Sequence, residues 1–66
     1  MDNHFVYPAG TLFYYHGFDA VGIIVGYDSK FELYKVKMPN KIVNIFTRSH
    51  FHMPDCFKIL FVSKEN

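Results

Sequence analysis

The stretch from Gly10 to Met38 limits what this chain can fold into more than any other, because it reads as three successive β-strands. Thr11–His16, Ala20–Tyr27 and Phe31–Met38 are each rich in β-branched and aromatic residues. Gly17-Phe18-Asp19 and Asp28-Ser29-Lys30 separate them. Both breaks carry turn chemistry, since Asp and Ser side chains accept from nearby backbone N–H groups and Gly supplies positive φ. Strands of this kind at this spacing predict a strongly bent antiparallel meander.

The rest of the chain extends the pattern. Pro39-Asn40 marks a third turn, and Lys41–Thr47 reads as a fourth strand. Ser49–Asp55 does not alternate and contains Pro54, which predicts a loop or a single helical turn. Phe57–Val62 supplies a fifth strand, and Ser63–Asn66 is a polar tail expected to fray. The expected fold is all-β: a single five-stranded small barrel over residues 1–66, with its core within 7–62 and a short helical turn before the last strand. A chain of 66 residues makes one domain, and a domain this small buries only about 60% of the surface its unfolded chain exposes.

Periodicity proposes a core. In the second strand Val21, Ile23, Val25 and Tyr27 share one face, while Gly22, Ile24 and Gly26 share the other. Glycines four residues apart on a strand remove side chains from one face and permit coiling or the close approach of another backbone. In the third strand Tyr34, Val36 and Met38 are expected inward, with Lys35 and Lys37 outward. Ile23, Val25, Val36 and Ile59 are the expected core residues.

Eight Phe and five Tyr exceed what such a core can enclose, because each ring buries roughly 150–250 Å² and a small barrel holds about half of them. Tyr14, Tyr15, Phe18, Tyr27 and Phe31 gather around the first two turns in this meander. Tyr15, Phe18, Tyr27 and Phe31 are therefore the candidate partner-binding residues, exposed rings being common hot spots of protein interfaces. A single-strand nucleic-acid binder would interleave such rings with Lys and Arg. Here the neighbours are Asp19, Asp28, Lys30 and Glu32, which favours a protein partner.

Net charge is +1, which provides no overall drive toward nucleic acid or an anionic membrane. Its distribution is uneven: from Leu33 to Pro54 there is no acid, but there are Lys35, Lys37, Lys41, Arg48, His50 and His52. Lys35, Lys37, Lys41 and Arg48 form the alternative site, a basic face for a nucleic-acid backbone. The simpler reading of strand lysines is a guard against edge-to-edge association. Assembly into a homo-oligomer through strand edges and surplus aromatics is a third reading.

Cys56 is the only cysteine, so no intrachain disulfide exists and a reducing compartment fits best. In an extended segment His50 and His52 point the same way, and a turn at Met53-Pro54-Asp55 returns Cys56 toward them as a weak zinc-ligand candidate. The paired spacing of structural zinc sites is missing. A nucleophilic Cys56 with His52 as base would need a deep pocket that a shallow barrel does not offer. No phosphate-cradling Gly-rich loop, nucleophile elbow or paired carboxylates occur. The chain is expected to be no enzyme and to hold no cofactor or metal. Met1–Pro8 has no basic n-region followed by an apolar run, and the expected location is cytoplasmic, with no membrane partner.

Pro8-Ala9-Gly10-Thr11-Leu12, followed by Val21-Gly22-Ile23-Ile24-Val25-Gly26-Tyr27, resembles the strand pattern of the Src-homology-three-like (SH3-like) small barrels, including the KOW-type modules of ribosomal proteins and transcription factors. The likeness covers Tyr7 to Val62. Phe18 and Asp19 stand where KOW modules carry a basic first loop, and the central Trp of proline-peptide-binding barrels has no counterpart. A very short chain with abundant Phe, Tyr, Lys and Asn is also similar to small accessory proteins encoded by bacteriophages. These resemblances imply a non-catalytic binding module, an accessory or virion-associated factor located in the host cytoplasm or the virion.

Overall fold

A computed structural model describes residues 5–40 and 43–64. Strands β1 (Leu12–Tyr15), β2 (Ala20–Asp28), β3 (Leu33–Lys37) and β4 (Val43–Thr47) follow one another as hairpins, and helical turn α1 (Arg48–Phe51) leads into β5 (Phe57–Phe61). The sheet order is β4-β3-β2-β1-β5, with every neighbouring pair antiparallel. The five antiparallel strands and the helical turn before the last match the sequence expectation. Lys41, expected to open the fourth strand, lies outside the described residues.

Local chemistry sets the turns. The Asp28 carboxylate accepts from the Lys30 and Phe31 N–H groups at 2.9 and 3.4 Å. Across the first hairpin the Tyr14 hydroxyl donates to the Asp19 carboxylate. That bond raises the Tyr14 pKa, because the charged acceptor favours the protonated phenol.

The core corrects the periodicity argument. Its buried members are Phe13, Ile24, Tyr34, Val36, Met38, Phe46, Phe51 and Phe57. Val36 is among them; Ile23 is only half-buried, and Val25 is 46% exposed. Ile59, also expected in the core, is half-buried and packs against it. Two features of β2 explain the reversal. A Cβ on Gly22 would lie 2.7 Å from Cζ of Phe13 and 2.6 Å from Sδ of Met38, so the missing side chain is the slot that admits the Phe13 ring. A bulge then shifts the phase: Ile24 pairs with Val36 but Gly26 pairs with Lys35, leaving Val25 unmatched. Tyr27 thereby returns to the inner face opposite Tyr34, ring centroids 4.8 Å apart.

In α1, Oγ1 of Thr47 accepts from the His50 N–H at 3.2 Å, capping a turn that sends Phe51 inward. Phe51 sits 5.1 Å from Phe13, 4.5 Å from Tyr34 and 4.6 Å from Phe57, centroid to centroid. Phe46 of β4 and Phe57 of β5 also meet, at 5.0 Å. The sheet therefore curls until its two ends touch through side chains, while β4 and β5 remain edge strands with no ladder between them among the described residues. Ser63, first residue of the tail expected to fray, is instead tied down: its N–H donates to the buried Thr11 hydroxyl at 3.3 Å.

Candidate functional site

The outer face of the sheet is the counterpart of that ring-filled interior. The pairing registers place Phe61, Leu12, Ile23, Lys37 and Val43 in one row across all five strands. Phe61 and Val43 are exposed, as is Ile45 opposite Lys35. Within this face a shallow groove of about 390 Å³ is walled by Leu12, Val21, Ile23, Lys37, Met38 and Pro39. A second hollow of about 200 Å³, reached by Phe18 and Ala20, meets it at Met38 and Pro39.

The strands of this surface carry mainly positive charge, with the Asp19 carboxylate beside them held by the Tyr14 hydroxyl. Lys35, Lys37 and Lys58 are exposed strand residues, and the only acid within a described strand, Asp28, is engaged by the turn that follows it. An apolar trough beside ammonium groups suits an apolar ligand carrying a carboxylate.

The four aromatic candidates do not form one patch. Tyr15 and Phe18 lie at the start of β2 and Tyr27 and Phe31 at its far end, a strand of nine residues apart, roughly 25 Å. Tyr15 stacks on Phe57 at 4.5 Å and Tyr27 packs on Tyr34, so both support the core. Phe18 and Phe31 are exposed, Phe31 with the Lys30 ammonium 5.5 Å over its ring. Of the four, Phe18 alone adjoins the groove.

The basic candidates also divide. Lys35 and Lys37 project from the outer face among Val43, Ile45 and Ile23. Arg48 is half-buried on α1, its Nη2 donating to the Phe5 carbonyl at 3.3 Å. Lys41 lies outside the described residues.

His50 and His52 are splayed by the helical turn, which rotates about 100° per residue where an extended strand would have aligned them. The His50 ring lies against Tyr15, Phe46 and Phe57. His52 sits against Tyr7 and Tyr34, its Nε2 2.9 Å from the Tyr34 hydroxyl. Cys56 packs partly buried against the core. Among the described residues no three His, Cys, Asp or Glu side chains gather as metal ligands.

The Tyr34 hydroxyl accepts from the Tyr7 N–H at 3.0 Å and pairs with Nε2 of His52 at 2.9 Å. Burial, with the Arg48 charge second, holds the His52 pKa below its usual value, and burial raises that of Tyr34. The network anchors the segment before β1 rather than opening toward a ligand.

Sequence reasoning missed the groove because it gave the outer aliphatic side chains to the core. The available signal was Gly22, whose missing side chain marks the face that receives a ring. No protein-family model matches the chain, and neither the curated proteins nor the solved structures give a significant match to it.

Proposed function

We propose that this chain is an SH3-like small barrel without catalytic function that binds a protein partner, holding an apolar, carboxylate-bearing segment in its outer-face groove. The observation that carries this reading is the groove itself, open among the described residues and apolar on both sides with Lys37 in its wall. Such a trough gains affinity from apolar burial and orientation from one charged contact. The return of β5 beside β1 and the Phe46–Phe57 contact support the barrel. A phosphate backbone is the weaker occupant, since it needs aligned cations, whereas Lys35 and Lys37 stand among aliphatic side chains and Arg48 is bonded to Phe5.

Selection of binding peptides from a random library tests this directly. The expected consensus is apolar with Asp or Glu, and amide shifts on titration should map to Leu12, Val21, Ile23 and Lys37. Lys37→Glu should weaken binding about tenfold, because reversal turns an exposed attraction of up to about 1 kcal/mol into a repulsion. A basic consensus, shifts confined to the Phe31 end, or micromolar binding of DNA or RNA at physiological salt would overturn it.

A further inference from the structure

The two edges of the sheet are unequally protected. On β5, Lys58 is exposed and the register with β1 slips between the Leu12–Phe61 and Phe13–Ile59 pairs, leaving Leu60 as a bulge. A charge and a bulge are two of the devices that discourage strand addition. The β4 sequence, Val-Asn-Ile-Phe-Thr, has no charge, no proline and an unbroken register with β3.

Its backbone phase can be fixed. The Arg48 N–H donates to the Glu32 carbonyl at 2.8 Å. Because hydrogen-bonded and non-bonded pairs alternate along an antiparallel ladder, Phe46 with Tyr34 and Asn44 with Val36 are the bonded pairs. Val43 and Ile45 thus aim their N–H and C=O groups at the open edge and Thr47 its N–H, the Thr47 carbonyl being the first acceptor of α1. The same three residues are exposed, Val43 by 54% and Ile45 by 58%.

We propose that two copies of this chain join edge to edge through β4, antiparallel, with a two-fold axis at Ile45. Ile45 then faces Ile45 of the second copy and Val43 faces its Thr47, forming about four main-chain hydrogen bonds and a β-branched cross-strand contact. The strand is self-complementary under this rotation, and the absence of charge on it means that no like charges are opposed. Among the described strand lysines the nearest across the axis, Lys35 of each copy, stand roughly 14 Å apart, three strand spacings and beyond the screening length at physiological salt. A two-fold contact closes on itself, so assembly stops at the dimer. The groove lies on the β1–β2–β3 side and stays open, which makes this pairing independent of the function proposed above.

Sedimentation equilibrium over a concentration series is the test, with amide hydrogen exchange on the same samples. Wild type should pass reversibly from monomer to dimer, and protection of the Val43, Ile45 and Thr47 N–H groups should rise with concentration while that of Asn44 and Phe46 does not. Ile45→Lys and Ile45→Glu should each weaken self-association about tenfold or more by placing like charges face to face, and mixing the two variants should restore a dimer. Matching melting curves will show that both variants fold. A monomer at every concentration, a dimer unchanged in both variants, or protection rising on β5 instead would overturn the proposal.

Discussion

Inside and outside β2, similar aliphatic residues have opposite fates. Ile24 on the inner face belongs to the buried cluster that the core rings build, whereas its neighbours Ile23 and Val25 border solvent. Hydrophobicity does not separate the two faces; volume does. The interior is filled by Phe13, Tyr34, Phe46, Phe51 and Phe57, rings large enough that the facing strand must yield space, and Gly22 yields it. Where rings converge, the residue opposite them is small, and the branched side chains of the same strand are left on the surface as material for contact.

Substitutions along β2 can break this comparison. The largest effect is expected from Ile24→Ala, about 2–5 kcal/mol, a large share of the 5–15 kcal/mol typical of a whole domain. Gly22→Ala should cost less, about 1–3 kcal/mol, as the added methyl presses on Phe13 and Met38. Val25→Ala should fall within about 0.5 kcal/mol of wild type. Urea unfolding of the three variants measures all of this, and equal losses at Ile24 and Val25 would show that the inner and outer faces had been exchanged.

The inner end of the core has its own probe. Because the folded state holds the His52 pKa below the unfolded value, the unfolded chain binds more protons as pH falls below about 6.5. The stability from neutral His52 is complete above that pH and declines as pH drops toward the depressed folded value. Denaturant unfolding between about pH 7.5 and 5 should show this decline, and His52→Gln should flatten it. An unchanged slope in the variant would remove His52 from the account.

Much of this was legible beforehand. Asp28, Asp19 and Pro39 announced the turns, and the alternation of Tyr34, Val36 and Met38 with Lys35 and Lys37 gave the correct face of β3. Polar and apolar residues differ there, so a period of two carries information. In β2 both faces are apolar, and the bulge at Val25 changes the phase in mid-strand, so no single period describes it. Phe51 was hidden for another reason: Pro54 and the lost alternation announced a loop or helical turn, but a helical turn of four residues is too short to show which of its side chains points inward. The candidate aromatics were scattered by topology, since consecutive turns of a meander lie at opposite ends of the strand between them.

The return of β5 to β1 has a consequence for the order in which the molecule forms. Each pairing from β1 to β4 joins neighbours in sequence, so its loop-closure entropy is small. Ile59 must come back to Phe13 across about two thirds of the chain, and Ser63 to Thr11 across more. Contacts of such separation form late unless something already holds the ends near one another. Phe57, in contact with Phe51 only six positions earlier, is what draws the last strand home. The ring cluster is thus also the guide by which a local meander acquires its one long-range strand.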